Sequence, residues 1–380
     1  MDKPPVSELA GYSVDPVRGF VPDVDPLPYL GDRFAPWELV SRNLAALVLT
    51  GRLRKAVESL PALSVDSLVT AAERERALLL LSCLGNGYVW AETKPARRLP
   101  AVVAVPLCQV ADALGRPPVV THATIVLNNW RRLAPDEPLS MANIDTQLTF
   151  LGGADEKWFY NATVGVELAG GPALRWLVAA QHAVAADAAD RLTTALLAIE
   201  PILRSTVTAL LDVERWCDPH VYYHRIRRFL TGWPEPGLIY EGVDEEPRMF
   251  VGGSAAQSSL IQAFDAGLRV PHEHPSTGGF LRAMRDYMPR PHRRFLAGLE
   301  AGPSVHDYVA TRRAQRPQLA EAYNGCVRAL SDLRAKHIGL TGRYIGRFVR
   351  DEGAAMGTGG TEFVALLAKS RDETRARELA

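Results

Sequence analysis

The chain has 380 residues, of which 43 are Lys or Arg and 43 are Asp or Glu, so its formal net charge is zero. A neutral chain has no net field to attract nucleic acid or an anionic membrane, which favours a small-molecule partner. Hydrophobic residues make up 47 % and charged residues 23 %, a balance typical of folded soluble proteins that excludes long disordered tails.

The first third of the chain predicts an arm followed by helices. Residues 1–30 are rich in Pro, Asp and Gly without periodicity, which indicates an extended arm. Apolar residues then recur at helical spacing from Trp37 to Leu60 and from Leu68 to Cys83. Short strands are expected only around Leu99–Val105. The prolines of Pro135-Asp136-Glu137-Pro138 interrupt helix and sheet alike, and we expect a domain boundary shortly after them.

The rest of the chain is more strongly helical. An Ala-rich stretch runs from Pro172 to Glu200, where Pro201 predicts a break or kink, and the pattern resumes to about Trp216. Five further helices are expected, namely 222–230, 258–267, 279–287, 318–349 and 361–370. The sequence therefore predicts a mostly α-helical protein. Its parts are a smaller N-terminal domain with minor short strands, residues 1–150, and a larger helical C-terminal domain, residues 151–380.

The cysteines and the apolar runs bear on the compartment. No two cysteines form a C-x-x-C motif, which excludes a disulfide framework or a zinc knuckle and predicts reduced, mostly buried thiols. The four are Cys83, Cys108, Cys217 and Cys326. The apolar, uncharged stretch at residues 77–90 is shorter than the roughly 20 residues of a membrane span, and the first residues lack an apolar signal segment. We therefore expect a cytoplasmic protein without a membrane partner.

The predicted helix 318–349 contains the first candidate for chemistry. Its apolar positions alternate at spacings of three and four, and His337 falls among them. The positions are Leu319, Tyr323, Cys326, Leu330, Leu333, His337, Leu340, Tyr344 and Phe348. An imidazole on an apolar face either satisfies both ring nitrogens with neighbours or gives one nitrogen to a metal. Arg334, one turn earlier, could meet an anionic group, and Gly339 and Gly342 leave room for a flat ring.

Seven blocks along the chain resemble, in order, those of the indoleamine 2,3-dioxygenase family. They are Gly87-Tyr88-Val89-Trp90, Val126-Leu127-Asn128-Asn129-Trp130, Tyr240-Glu241-Gly242, Gly252-Gly253-Ser254-Ala255-Ala256-Gln257-Ser258, Arg285-Asp286-Tyr287-Met288-Pro289, Leu333-Arg334-Ala335-Lys336-His337 and Gly357-Thr358-Gly359-Gly360-Thr361. The resemblance implies a haem enzyme that cleaves the C2–C3 bond of the indole ring of L-tryptophan with O₂, giving N-formylkynurenine. It also implies a small-molecule indole substrate and an electron donor that keeps the iron ferrous.

The resemblance assigns the cofactor residues. It implies that His337 is the axial ligand of the iron of a haem b, in the larger domain, with the smaller domain covering the opposite, distal side. Arg334 and Asp265 would form a pair that supports the ligand side and a propionate, although an ordinary helix-surface salt bridge is the plainer interpretation. Ser254 and Ala255 would contact the cofactor.

The resemblance also assigns the substrate residues. Arg227 matches the arginine that binds the substrate carboxylate, and a guanidinium suits this role because it offers two parallel donors. A solvated basic face with Arg225 and Arg228 is the alternative. Arg227, Thr163 and Ser254 form the implied catalytic set. The implied substrate-binding set is His122, Ile125, Val126, Phe159, Tyr160, Tyr222, Arg227, Leu230, Thr231, Gly253 and Thr358, and core packing is the alternative for most of these.

Three substitutions distinguish this chain from better-known family members. It has Tyr222 where they have a phenylalanine, Thr163 where they have a serine, and His122 where they have a tyrosine. The first adds a hydroxyl to an apolar site, the second fills space, and the third adds a group that can titrate. Two alternatives therefore stay open: oxygenation of another indole derivative, with one or two oxygen atoms, and a non-catalytic haem sensor.

Two other segments contain candidate site residues. Thr358 lies in the Gly-Thr-Gly-Gly-Thr run, which resembles the family's loop that closes over the substrate; without the family it is a loop before a helix. His272-Glu273-His274 could suggest a metal site, but no third ligand is in view.

Overall fold

The structure, a computed structural model, describes residues 4–349 and 363–380. It is about 63 % helical with only short strands, which confirms the expected all-α class. The arm at residues 4–30 has no regular element apart from a single 3₁₀ turn, Ala10–Tyr12, yet Val6, Phe20 and Val21 are buried in the core. The arm is therefore ordered by packing.

The helices before residue 150 surround one long central helix. They are α1 Ala35–Arg42, α2 Leu44–Leu49, α3 Leu53–Glu58, α4 Ala71–Trp90 and α5 Ala101–Leu114. Helix α4 begins with a capping box, in which the Thr70 hydroxyl accepts from the Glu73 amide and the Glu73 carboxylate accepts from the Thr70 amide. Its apolar run from Ala77 to Leu84 is fully buried, and the helix packs against α1, α3 and α5.

Four short strands form two small sheets. They are β1 Arg98–Leu99, β2 Trp130–Arg132, β3 Ile144–Thr146 and β4 Ile239–Tyr240. β1 pairs with β4 in parallel, and β2 pairs with β3 in antiparallel register, with Trp130 opposite Thr146. The first pair joins segments from both sides of residue 150. The division into domains 1–150 and 151–380 stays a prediction.

The helices after residue 150 form the larger packed body. They are α6 Ala154–Gly170, α7 Ala173–Ala185, α8 Ala189–Leu211, α9 Pro219–Val221, α10 Arg227–Leu230, α11 Ser259–Leu268, α12 Pro275–Arg285, α13 Arg290–Ala301, α14 Val305–Arg312, α15 Pro317–Thr341, α16 Arg347–Val349 and α17 Phe363–Arg375. Helix α8 packs against α6, α7 and α15, and α15 also contacts α17. The sequence periodicity did not single out α6, α13 or α14.

The strands expected at Leu99–Val105 are wrong beyond residue 99. Pro100 has extended φ and ψ and lies just before α5, where its missing N–H costs nothing. Val103 instead lies on the buried face of α5, and Val102 and Val105 are half-buried. The helix ends at Gly115, whose φ of 66° is left-handed.

Of the break or kink expected at Pro201, the break is wrong, because α8 continues through this residue, and the kink stays a prediction. The Ala-rich stretch is interrupted earlier, between α7 and α8, where Asp187 adopts a φ of 50°. A proline inside a helix removes the hydrogen bond to the carbonyl four residues earlier, here that of Leu197. The side chains of Leu197 and Pro201 are both exposed, so this carbonyl lies on the outer side of the helix.

One helical segment, Ala189–Arg215, is long and apolar enough to cross a membrane by length and composition alone. A single such helix is weak evidence, since core helices of soluble proteins meet the same criterion. In this chain one face of the segment, including Leu192, Ile199 and Leu203, is buried against neighbouring helices.

All four cysteines are free and buried, as expected. Burial raises the pKa of the Cys217 thiol to about 12 and that of Cys108 to about 11. The thiols are therefore protonated and unreactive at neutral pH.

Candidate active site

A cavity of about 300 Å³ lies between α6, α15 and the loop that precedes α11. Its lining is mostly apolar, and most of the predicted site residues contribute to it. These are His122, Ile125, Val126, Phe159, Thr163, Tyr222, Leu230, Gly253, Ser254, Ala255, Arg334 and His337. Residues far apart in sequence, in the smaller and larger predicted domains, thus meet at one cavity.

The other predicted site residues lie elsewhere. Tyr160 is buried beside the cavity, with its hydroxyl donating to Glu156 over 3.1 Å. The Thr231 hydroxyl donates to the carbonyl of Arg227, and the guanidinium carbon of Arg227 lies 5.3 Å from the ring centre of Tyr223. Asp265 reaches the cavity only through its partner Arg334, and Thr358 falls outside the described residues.

Three π-helical turns contribute to the cavity wall: residues 123–127, 222–226 and 342–346. Each carries a lining residue, namely Ile125, Tyr222 and Tyr344. A π turn widens a helix by one residue per turn and so displaces side chains from the regular helical stripe, as is frequent at functional sites.

The Gly253-Ser254-Ala255 wall depends on a close approach of two backbones. A Cβ added at Gly252 would lie 1.9 Å from the carbonyl oxygen of Leu230, so only glycine fits this position. The Ser254 hydroxyl then accepts from the Ala256 amide at 3.3 Å and begins a 3₁₀ turn. The glycine therefore holds this loop against Leu230.

His337 lies on α15 and lines the cavity. Burial, and secondly the positive charge of Arg334, lower the pKa of its imidazole to about 4. The ring is consequently neutral at physiological pH, which is the form that binds a metal. Gly339 and Gly342 do not line the cavity, although a Cβ at Gly342 would meet no atom within 4 Å.

A buried ionic cluster lies beside His337. Nη2 of Arg334 donates to both carboxylate oxygens of Asp265 at 2.8 Å, and His272 contacts Asp265 at 3.0 Å and Glu373 at 2.7 Å. Burial opposes the ionisation of Asp265, but Arg334 and His272 outweigh it and lower its pKa. Burial likewise opposes protonation of His272, whereas the hydrogen bond and charge of Asp265 raise its pKa. His272 thus belongs to this cluster, and within the described residues no group of three or more His, Cys, Asp or Glu side chains could hold a metal ion.

The sequence model of the indoleamine 2,3-dioxygenase family matches residues 8–377. The chain is also 36 % identical, over 96 % of its length, to indoleamine 2,3-dioxygenase 2 of Mus musculus, and covers 94 % of that protein. Family membership follows from both findings.

The chain belongs to the indoleamine 2,3-dioxygenase family.

Two further similar proteins carry different names. The 6-hydroxytryptophan 2,3-dioxygenase of Fusarium equiseti is 32 % identical, over 97 % of both chains. A protein named myoglobin from Haliotis madaka is 30 % identical, over 97 % of this chain and 96 % of its own.

As an indoleamine 2,3-dioxygenase family member, the protein is a haem-dependent oxidoreductase that uses haem iron and O₂ and acts on tryptophan or indole derivatives. The cavity fits such a cofactor. Its lining is largely apolar, the imidazole of His337 is neutral, and Nη1 of Arg334 is buried without a hydrogen-bond partner among the described residues. A propionate would supply the missing acceptor.

Sequence reasoning missed several polar residues that line this family member's cavity, namely Glu167, Ser258, Thr341 and Tyr344. Phe159, Thr163 and Glu167 follow one another at intervals of four on α6 and line the same wall. That spacing was visible in the sequence, since residues four apart share a helix face. Oε1 of Glu167 lies 2.9 Å from Nε2 of His122 and accepts from the Ser258 hydroxyl at 2.6 Å.

Tyr222 is another polar residue of the cavity wall. Its ring centre lies 4.7 Å from that of Phe159, and burial raises the pKa of its phenol to about 12, with the charge of Arg227 opposing. The phenol is therefore a neutral donor at physiological pH. The Arg227 amide donates to the Tyr222 carbonyl one π turn earlier, so the backbone of Arg227 lies at this end of the cavity.

Proposed function

We propose that the chain cleaves the C2–C3 bond of the indole ring of L-tryptophan, giving N-formylkynurenine. The observation that carries the proposal is the neutral imidazole of His337 in an apolar cavity that also contains an unpartnered arginine donor. Haem, when bound, supplies the activation of O₂ that no amino acid side chain can provide.

The protein's own contribution is orientation and exclusion of water. His337 would bind the iron, and Arg334, Ser254 and Ala255 would hold the cofactor's edge. Phe159 and Tyr222 would contact the indole ring on the opposite side. The apolar lining keeps the reacting atoms dry and in position, which accounts for much of what a cofactor enzyme adds to its cofactor.

Arg227 is proposed to bind the substrate carboxylate. Its support is its place at the start of α10, near Tyr222, together with the suitability of a guanidinium for a carboxylate. Thr163 and Ser254 complete the proposed catalytic set. The Thr163 hydroxyl donates to the carbonyl of Phe159 at 2.7 Å, so it presents its methyl group and an oxygen acceptor to its surroundings.

The deciding experiment incubates the reduced, haem-loaded protein with L-tryptophan under ¹⁸O₂. Formation of N-formylkynurenine is followed by absorbance, and mass spectrometry should show two labelled oxygen atoms in the product. A product with one labelled atom would replace ring cleavage by monooxygenation. Clear haem spectra without any turnover of indoles would favour a non-catalytic haem protein.

A second candidate is cleavage of another indole derivative. The observation in its favour is the polar character that Tyr222 and His122 give to the cavity wall. The relative named for 6-hydroxytryptophan shows that such a specificity occurs among similar chains. Turnover of L-tryptophan far below that of a ring-substituted analogue would support this candidate over the first.

We further propose a cytoplasmic location and an electron donor that keeps the iron ferrous. The neutral net charge supports the absence of nucleic-acid and membrane partners. Fractionation of the native cells, with the protein in the soluble fraction, tests the location.

A further inference from the structure

We propose that His122 and Glu167 recognise a hydroxyl group on the six-membered ring of the indole, so that a ring-hydroxylated tryptophan binds more tightly than tryptophan. This inference rests on the proposed function, because it assumes that the indole occupies the cavity. His122 is the recognising residue and Glu167 the positioning residue.

The first step is the way in which the imidazole is held. Nε2 of His122 lies 2.9 Å from Oε1 of Glu167, and the same oxygen accepts from Ser258. The side chains of His122 and Glu167 are 6 % and 2 % exposed. The His122 amide also donates to Gln257 at 2.9 Å, and Gln257 in turn donates to the Gly252 carbonyl at 2.8 Å. Backbone and ring are both fixed.

The second step is the direction of the remaining nitrogen. A carboxylate is an acceptor, so Nε2 carries a proton, and Nδ1 is the nitrogen left for another partner. Nδ1 of His122 has no hydrogen bond in the described part of the chain and is not among its fully buried unpartnered atoms. His122 is otherwise buried and lines the cavity, so we infer that Nδ1 is open to the cavity.

The third step is the separation of this pair from the carboxylate-binding end. Phe159, which contacts Tyr222, precedes Glu167 by eight residues on α6, about 12 Å along the helix axis. The Arg227 amide donates to the Tyr222 carbonyl, so the proposed carboxylate-binding residue, and with it the substrate's carboxylate and ammonium, belongs at the Phe159 end. The far edge of the indole ring then faces His122.

The fourth step is the choice of ligand chemistry. An unsubstituted ring edge offers His122 no hydrogen bond, so bound tryptophan would bury Nδ1 without a partner, which is unfavourable. A ring hydroxyl can donate to the neutral imidazole or accept from the protonated one. The hydroxyl therefore gives Nδ1 a partner in either protonation state of the imidazole. A methoxy group has no proton to donate to the neutral imidazole.

The test measures equilibrium binding to the ferric, haem-loaded protein without reductant, from the shift of the Soret band and by calorimetry. The ligands are tryptophan, its 4-, 5-, 6- and 7-hydroxy derivatives, and 5-methoxytryptophan. At least one hydroxy isomer should bind about tenfold more tightly than tryptophan, as expected for one buried hydrogen bond. The methoxy compound should show no such gain.

Two variants assign the effect to the pair. His122→Phe should reduce the hydroxyl preference, the ratio of hydroxytryptophan to tryptophan affinity, to about one. Glu167→Gln should retain haem but spread the preference over several isomers, because the imidazole is no longer fixed. His306→Phe makes the same substitution outside the cavity lining and should leave the preference unchanged. If His122→Phe does not fold, binding of the same ligand series to the wild type and to His122→Tyr still tests the proposal.

The possible results separate the two proposals. A wild type that cleaves tryptophan but binds all isomers equally overturns this inference alone, as does an unchanged preference in His122→Phe. Hydroxyl-selective binding without ring cleavage supports the inference and overturns the proposed function. Failure of the loaded protein to bind any indole overturns both.

Discussion

Asp265 accepts two 2.8 Å hydrogen bonds from the same nitrogen, Nη2 of Arg334, and both side chains are only 8 % exposed. Arg334 lies on α15, one turn before His337, whereas Asp265 lies on α11. The pair therefore fixes the helix of the proposed iron ligand to a second helix. The plainer interpretation of this pair as a helix-surface salt bridge does not agree with its burial.

Removing Asp265 should be costly for stability. Asp265→Ala leaves the Arg334 guanidinium buried without its counter-charge, and we expect the free energy of unfolding to fall by about 3–5 kcal/mol in urea titrations. The control is Glu214→Ala, which breaks the exposed pair with Arg343 and should cost less than about 1 kcal/mol. Equal losses in both variants would contradict the argument.

Replacing His337 should remove the cofactor. Its neutral imidazole is the proposed iron ligand, so His337→Ala should abolish or severely weaken haem binding, seen as loss of the Soret band after reconstitution. Lys336→Ala, at the adjacent exposed position, should bind haem as the wild type does. A His337→Ala protein with full haem content and activity would rule out this ligand.

The ionic cluster predicts a pH dependence of stability. The pKa of His272 is raised above its ordinary value of 6.5, so its stabilisation is complete below that pH and is lost as the pH rises through the folded-state pKa. The pKa of Asp265 is lowered, so this group stays ionised and loses its contribution only in acid.

The melting temperature should therefore decline as the pH rises above about 6.5, and the decline should be smaller in His272→Gln. Thermal scans of the haem-loaded protein from pH 5 to pH 9 measure this difference. An identical pH profile in the variant would exclude His272 as its source.

Arg227 should contribute to binding of the substrate's carboxylate and not to binding of its indole ring. With Arg227→Ala we expect the KM for L-tryptophan to rise about tenfold to a hundredfold, the range for losing one charge-assisted interaction. Binding of indole, which has no carboxylate, should change little. Arg225→Ala alters an exposed neighbour and serves as the control. A matching loss for indole would point to a packing role for Arg227.

The capping box of α4 offers a prediction away from the cavity. Thr70→Ala removes the acceptor for the Glu73 amide and should lower the free energy of unfolding by about 1 kcal/mol. Thr194→Ala, at an exposed position inside α8, should leave stability equal or slightly higher, because alanine favours helix interiors. Chemical denaturation measures both, and a Thr70→Ala protein of unchanged stability would contradict the capping role.

The sequence predicted most of the long helices, α6 excepted, because their apolar residues recur at helical spacing. Helix α15 begins within one residue of its expected start at Gln318, and Pro317 marks that start. The predictions of a strand at α5 and of a break at Pro201 were wrong for one reason. In both places packing overrode the intrinsic conformational preference of the residues. Valine favours strands in isolation, but α5 packs against α4 and buries Val103 and Val110.

The candidate site was predicted less evenly. The placement of His337 and Arg334 follows from helical spacing plus the family resemblance, and both line the cavity. The bond between His122 and Glu167 joins a loop to a helix 45 residues away, and no local pattern encodes such a distance. The π turns were equally hidden, because a one-residue widening within an apolar stripe leaves the composition unchanged.

The three π turns determine how a change in chain length would alter the cavity. Each holds one residue more than a regular α-helix needs, so deleting a single residue there would restore the regular ladder and turn every later side chain of that helix by about 100°. At residues 222–226 such a deletion would move Arg227 relative to Tyr222, together with the buried side chains of Phe229 and Leu230. A change in chain length of one residue would thus redirect the proposed carboxylate-binding group by a rotation that a substitution at its own position does not produce.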